Sequence, residues 1–212
     1  MGVYSEHILP RLTHLTLRAG PIAKIRAQHL SQACGIVLDV GFGSGLNLPH
    51  YGDSVVRVLA VEPSHVARKL AKPLIASVRF PVEFAGLDGQ HLAVNSDSID
   101  CVVTTWTLCT IPDPEAALKE FARVLKTGGK FLFVEHGLAP DDNVARWQNR
   151  LDPIQVFVAG GCHLNRPMEK IVSSSQLQIT SIRHFYFPGP RTHSYFYAGV
   201  AIKADTPDQI RS

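Results

Sequence analysis

The sequence is poor in features that would mark a secreted, membrane-spanning or nucleic-acid-binding protein. Four cysteines (Cys34, Cys101, Cys109, Cys162) lie scattered through 212 residues with no C-x-x-C pair. Neither a disulfide framework nor a metal site is therefore expected, and Cys34 and Cys101 read as buried, reduced thiols. No apolar run approaches the roughly 20 residues that a membrane helix needs, and the N-terminus shows no leader pattern. Those two absences predict a cytoplasmic protein without a membrane anchor. Charge is sparse too: 21 basic against 18 acidic residues give +3, with no basic run, which argues against nucleic acid as a partner. Repeats and low-complexity segments are also missing. The length fits one domain over 1–212, large enough for a good core; oligomeric state leaves no mark on the sequence.

What the chain does have is glycine in a telling place. Gly35-Ile-Val-Leu-Asp-Val-Gly-Phe-Gly-Ser-Gly-Leu-Asn47 reads as a buried strand that runs through Asp39 into three alternate glycines, Gly41, Gly43 and Gly45. Glycine is needed where φ is positive or where a ligand must approach the backbone closely. A second apolar strand ends in Glu62, placed to take both hydroxyls of a ribose, so a nucleoside-bearing cofactor is expected. A dinucleotide fingerprint wants G-x-G-x-x-G against a pyrophosphate, but the third glycine position holds Leu46. Asp39 would repel a pyrophosphate and suits a cationic ligand. S-adenosyl-L-methionine, with a sulfonium, an ammonium and no phosphate, fits better than NAD. An NAD-dependent oxidoreductase is the remote alternative, and a non-catalytic binding protein a further one.

Strand and helix alternate after residue 34, the signature of an α/β sheet. Strands are expected at Gly35–Val40, Val55–Val61, Pro81–Ala85, Ile99–Thr104 and Lys130–Val134. Two helices, His7–Arg18 and Pro21–Gln32, precede them. A short helix, Gly45–Tyr51, follows the glycines, and a longer one opens at the cap Ser64 and runs to about Ser77, with Pro73 a point for a kink or a stop. Asp113-Pro114-Glu115 opens the clearest helix, ending at Lys126-Thr-Gly-Gly129. Further on, a helix over Asp141–Phe157, a Gly-Gly-Cys-His turn and a short helix from Pro167 precede two strands, Leu177–Phe187 and Ser194–Ile202. The chain thus divides into N-terminal helices (1–34), a cofactor core (35–136), a cap segment (137–172), C-terminal strands (173–204) and a loose tail (205–212). Both additions are expected over the carboxyl edge of the sheet, where open α/β folds bind ligands.

Two more clusters fall on that edge. Leu87-Asp88-Gly89 follows the third strand: Asp88 is placed to accept from an adenine amino group and the Gly89 amide to donate to a ring nitrogen. A turn-capping aspartate beside glycine is the equal alternative. Thr104-Thr105-Trp106-Thr107 ends the fourth strand beside the methionine half of the ligand. There Trp106 either shields the cofactor or belongs to the core.

The D-x-G-x-G-x-G pattern resembles motif I of the class I S-adenosylmethionine-dependent methyltransferases. Gly45-Leu-Asn-Leu-Pro-His-Tyr51, Glu62-Pro63, Leu108-Cys109, Glu120-Phe-Ala-Arg-Val-Leu-Lys-Thr-Gly-Gly129 and Phe133-Val-Glu-His136 look like the methyltransferase-11 type. Glu135-His136, Asp152-Pro153 and Gly161-Cys162-x-Leu-x-Arg166 are similar to the branch of the methyltransferase-like 7 thiol methyltransferases and their bacterial phosphatidylethanolamine N-methyltransferase-like relatives. The resemblance implies a Rossmann-like three-layer sandwich, with strand order 3-2-1-4-5-7-6 and an antiparallel last strand. It implies Asp39, the three glycines and Asn47 around the methionine moiety, Glu62 on ribose, Asp88 and Gly89 at adenine, and Thr105 and Trp106 beside them. It matches Tyr4 to an N-terminal tyrosine that closes over the cofactor, although a surface tyrosine is as good a reading. The animal members' N-terminal anchor has no counterpart here, which counts against a membrane role.

Methyl transfer from a sulfonium is an in-line displacement that needs alignment more than acid catalysis; proximity alone can supply about 7–11 kcal/mol. The acceptor must still lose its proton. Candidate bases are His163, the favoured one, and His136, with Asp152 placed to orient either. Arg166 pairs with a substrate acid or with Asp152. Cys162 reads as packing at the acceptor site, since direct transfer leaves it no covalent role. No Asn/Asp-Pro-Pro-Tyr follows strand four, which disfavours planar exocyclic amines. Trp147, Phe157, Leu164, Phe185, Tyr186 and Phe187 suggest an enclosed apolar pocket for a small-molecule acceptor. A thiol is the leading acceptor. The alternative is O- or N-methylation of a phenolic metabolite, a quinone precursor or phosphatidylethanolamine.

Overall fold

The computed structural model describes residues 2–18 and 20–204; the tail over 205–212 lies outside the described residues. Seven strands form one sheet: β1 (Gly35–Val40), β2 (Val55–Val61), β3 (Val82–Gly86), β4 (Ile99–Thr105), β5 (Leu125–His136), β6 (Leu177–Tyr186) and β7 (Tyr195–Lys203). Their order is β3-β2-β1-β4-β5-β7-β6, as the resemblance implies. The β1–β2, β1–β4, β2–β3 and β4–β5 pairs are parallel, while β7 is antiparallel to both β5 and β6.

Among the described residues, six helices flank the sheet: α1 (Leu9–Leu17), α2 (Gly20–Leu30), α3 (His65–Ser77), α4 (Pro114–Val124), α5 (Asp142–Val158) and α6 (Met168–Ser173). Alternate strand residues point to opposite faces, so the core is in two layers. Leu38, Val102, Phe131 and Phe133 pack with Leu118 and Phe121 of α4 and Met168 and Val172 of α6. Val37, Val58, Val103 and Leu132 pack with Leu30 of α2 and Ala71 of α3. The result is a three-layer Rossmann-like sandwich.

Several boundaries differ from the sequence reading, each for a local reason. The stretch after the glycines is only a 3-10 turn, Leu48–His50, because Pro49 has no N–H and the bonds run Leu48 to Gly45 and His50 to Asn47. The first helix begins with a wide π turn, Tyr4–Ile8, that gives way to α1 where Pro10 cannot donate. Helix α3, by contrast, keeps the expected bounds: it runs through Pro73 to Ser77, with the Ser64 hydroxyl accepting from the Ala67 amide. Helix α4 is capped by Asp113 but ends at Val124. Val124 and Leu125 are both fully buried, which turns the chain into β5 early. Gly128, at φ +74°, then lies in the irregular stretch where β5 pairs with β4. Helix α5 carries Pro153 inside it and ends at Val158.

Candidate active site

The turn after β1 is held from below by a buried polar network. Gly41, Gly43 and Gly45 have φ of +72°, +57° and +77°, the left-handed region that side chains disfavour. A Cβ on Gly41 would overlap the Thr107 side chain, whereas one on Gly43 would meet only the Gly41 carbonyl, at 3.8 Å. Gly41 is thus fixed by packing and Gly43 borders open space. Asp39 is fully buried. Its oxygens accept from Asn47 Nδ2 at 3.1 Å and from the Tyr51 hydroxyl at 2.8 Å. Asn47 Oδ1 in turn accepts from Arg26 Nε at 3.0 Å and from Thr105 Oγ1 at 3.1 Å.

Burial pushes the Asp39 carboxyl up to about 6, against the pull of Tyr51, Asn47 and Arg26. It also lowers Arg26 to about 10, with Asp39 opposing. The Arg26 guanidinium lies 4.6 Å over the Trp106 ring, which also packs edge-on against Phe196. Asp39, Asn47 and Thr105 therefore brace the turn from inside; the geometry gives Asp39 no exposed surface with which to meet a ligand directly.

Glu62 ends β2 and reaches across to the same turn. Its Oε2 accepts from the Gly43 amide and its Oε1 from the Ser64 amide, both at 2.7 Å. Burial raises its pKa, with the two amides opposing. Each oxygen keeps a lone pair, since a carboxylate offers about four acceptor sites. Asp88 follows β3 and caps its own loop, accepting from the Gln90 amide at 2.9 Å and from His91 Nδ1 at 3.0 Å. The His91 bond foremost holds its pKa low. Gly89 is required by packing, as a Cβ there would lie 2.7 Å from Val40 Cγ1.

Across the edge, Glu135 is buried at the end of β5. It accepts from the Thr107, Leu108 and Cys109 amides at 3.0–3.2 Å, fixing the loop after β4. Arg166 donates to the Leu108 and Ile111 carbonyls at 2.6 and 2.7 Å. Its guanidinium is committed to that loop, not to Asp152 or to an outward-facing acid, because the loop presents a ring of carbonyls that only a multi-donor cation satisfies. Asp152 belongs to His163: Oδ2 meets His163 Nδ1 at 2.9 Å, and Oδ1 accepts from the Leu164 amide at 2.7 Å. The His163 amide donates to the Cys109 carbonyl, joining the cap turn to the loop after β4.

His136 is buried, with Nδ1 3.6 Å from Cys162 Sγ. Cys162 Sγ is 3.4 Å from Cys109 Sγ, so two of the four cysteines are neighbours despite their spacing in sequence. The Cys109 contact, then His136, hold the Cys162 thiol low, while the same contact and burial drive Cys109 up.

The aromatic lining expected of the cap is not assembled. Trp147 is 54% exposed and Phe157 84% exposed, whereas Leu164 is fully buried; they lie on opposite faces of the segment because Gln148 and Asp152 take the inward side of α5. Tyr4 donates to the Val158 carbonyl at 2.7 Å, tying the N-terminal helices to the end of α5. A cleft of about 490 Å³ opens elsewhere, between the N-terminal helices and α3, lined by His14, Arg26, Leu46, His50 and Leu74 among others.

Arg26, Tyr51 and Glu135 were missed by the sequence reading. Glu135-His136 stood in a matched motif, but nothing in the spacing shows that its carboxylate gathers three amides.

A glycine turn over a buried acid, a second acid just after β2 and a 3-2-1-4-5-7-6 sheet give the chain the Rossmann-like architecture of nucleoside-cofactor enzymes. The profile of the methyltransferase domain family Methyltransf_11 matches residues 38–133. Residues 38–133 carry this methyltransferase domain, and the chain is an S-adenosylmethionine-dependent methyltransferase. It is 29% identical over 208 residues to the thiol S-methyltransferase TMT1A of Homo sapiens, covering 92% of this chain and 81% of that protein. It is 28% identical over 162 residues to the phosphatidylethanolamine N-methyltransferase of Cereibacter sphaeroides, covering 72% and 75%. The crystal structure of an S-adenosylmethionine-dependent methyltransferase from Methanosarcina mazei superposes with a TM-score of 0.64 at 22% identity, covering 84% of this chain and 97% of that one.

Proposed function

We propose that this methyltransferase binds S-adenosylmethionine across the carboxyl edge of β1 and β2 and methylates the sulfur of a small-molecule thiol. The observation that carries the cofactor half is Glu62. It is nine-tenths buried, pinned by the Gly43 and Ser64 amides, and beside a turn that Gly43 leaves open. That set suits a ribose diol, and the turn leads into the short 3-10 turn Leu48–His50, not into a long helix whose N-terminus would meet a pyrophosphate. Asp88 and the Gly89 amide are assigned to adenine, and Trp106, Thr105, Asn47 and Asp39 to the walls and floor of the methionine end. The thiol half is supported by the similarity to a thiol S-methyltransferase over nearly the whole chain.

Bound S-adenosylmethionine supplies an electrophilic methyl whose leaving group is a neutral thioether. The chain's own task is to align the acceptor and take its proton. Asp152 fixes His163 with the proton on Nδ1, which leaves Nε2 as the basic lone pair. A thiol, with a pKa of about 8.5, needs only that modest help at neutral pH. Glu135 and Arg166 hold the 107–112 loop against which the acceptor rests. Calorimetry with S-adenosylhomocysteine and NADH, followed by mass spectrometry of products from a thiol acceptor, tests the reading. Binding of the first alone and an S-methyl product support it; tight NADH binding overturns it.

A further inference from the structure

Cys109 from the loop after β4, His136 from the last position of β5 and Cys162 from the cap turn converge from three separate parts of the chain. One donor atom from each lies within 4.8 Å of the others. The sulfurs are 3.4 Å apart, and Cys162 Sγ is 3.6 Å from His136 Nδ1. Tetrahedral zinc, with Zn–S of about 2.3 Å and Zn–N of about 2.0–2.1 Å, sets donor separations of roughly 3.5–3.8 Å. The Cys162–His136 edge already matches, the sulfur–sulfur edge would lengthen by a few tenths of an ångström, and the widest edge, at up to 4.8 Å, would close by as much as about 1.2 Å. Two thiolates and an imidazole are a soft donor set that selects zinc over magnesium or calcium. The nearest carboxylate, Glu135, is taken up by three amides and does not compete. Cys109 and His136 are buried and Cys162 is half-buried, so the cluster opens to one side only, that of the cap turn.

We propose that Cys109, His136 and Cys162 bind one zinc-class cation, and that its fourth position takes the sulfur of the acceptor thiol. The first part stands on the cluster alone; the second rests on the thiol reading above. On binding, the acceptor gives its S–H proton to His163 Nε2, the base assigned above, and donates a sulfur lone pair to the metal. A second lone pair then forms the new S–CH3 bond as the cofactor's C–S bond breaks, its electron pair remaining on the departing thioether sulfur. The methylated product, a neutral thioether and a weaker ligand than a thiolate, dissociates.

The test uses the full chain, reduced and freed of metal, titrated with Zn²⁺ against a chromophoric chelator and with Co²⁺ by absorption. One equivalent per chain is expected, with thiolate-to-cobalt charge transfer. Cys109→Ser, Cys162→Ser and His136→Gln should each weaken zinc binding by more than about 100-fold, beyond what outer-shell changes cause. Calorimetry with S-adenosylhomocysteine on every variant verifies that it is folded. Adding a small thiol should shift the cobalt spectrum. Absence of stoichiometric binding, wild-type affinity in Cys162→Ser, or a Cys109–Cys162 disulfide in a chain that binds no zinc when reduced would each overturn the site. A cobalt spectrum that thiols leave unmoved would overturn the fourth-ligand assignment. Failure of the thiol reading shows separately, as metal-loaded protein that makes no S-methyl product.

Discussion

The two halves of the carboxyl edge are built differently. On the cofactor side, Asp39, Asn47, Tyr51, Arg26 and Thr105 form a closed, buried network in which each group satisfies another. On the side assigned to the acceptor, Cys109, His136, Cys162 and the His163–Asp152 pair come from four parts of the chain, the loop after β4, β5, α5 and the cap turn, and include partly exposed groups. The first half spends its polar groups on holding a backbone shape. The second gathers titratable side chains, of which Cys162 and His163 are only half-buried. A shape can be fixed once for a cofactor shared by a whole family, while reactive groups must meet an acceptor that differs from member to member.

Changes on the acceptor side should therefore act on turnover and leave cofactor affinity intact. His163→Ala is expected to lower kcat for a thiol by about 10²–10⁴-fold, with an unchanged Kd for S-adenosylhomocysteine. The deficit should shrink at high pH, where the thiol ionises unaided. A kcat–pH profile equal to wild type would remove His163 as the base. On the cofactor side the pattern should reverse. Glu62→Ala is expected to weaken S-adenosylhomocysteine binding at least roughly tenfold, since two hydroxyls lose a charged acceptor. Its kcat at saturating cofactor should stay near wild type. Unaltered affinity by calorimetry would place the ribose elsewhere.

Asp39 gives a smaller effect with a definite sign. Burial raises its folded pKa from the ordinary 3.8 to about 6, so the native state binds this proton more tightly than the unfolded chain. Its contribution to stability is therefore greatest at low pH and falls as pH rises from about 4 through about 6. Asp39→Asn removes that dependence. The wild-type advantage in Tm over Asp39→Asn should narrow between pH 4 and pH 7. A gap that widens would mean that Arg26 outweighs burial. The smallest effect belongs to the cap aromatics: Phe157→Ala and Trp147→Ala should change stability by no more than about 0.5 kcal/mol and leave the KM of a small thiol unaltered. A large rise in KM would return these side chains to the acceptor site.

This division also explains what the sequence made legible. Asp39, the glycines and Glu62 lie at or beside strand ends, where a near-continuous apolar run breaks at a fixed place, so their positions follow from the pattern itself. The Cys109–His136–Cys162 contact needs the register of β4 against β5 and the fold of the cap turn, neither of which leaves a periodic trace. Asp152 was read as a partner for either histidine, and only the turn of α5 past Pro153 assigns it to His163. Arg166 was misjudged because sequence shows its charge but not the ring of carbonyls at Leu108, Ile111 and Pro112 that absorbs it. Trp147 and Phe157 were misplaced because an apolar residue in a helix does not by itself say which way the helix faces.

The central claim is methyl transfer from S-adenosylmethionine to a small thiol, and the most direct measurement is kcat/KM for size-matched thiol, phenol and amine acceptors, with phosphatidylethanolamine vesicles in parallel. The account predicts the highest kcat/KM for the thiol, with an S-methyl product. A clear preference for the phenol, the amine or the phospholipid would contradict it.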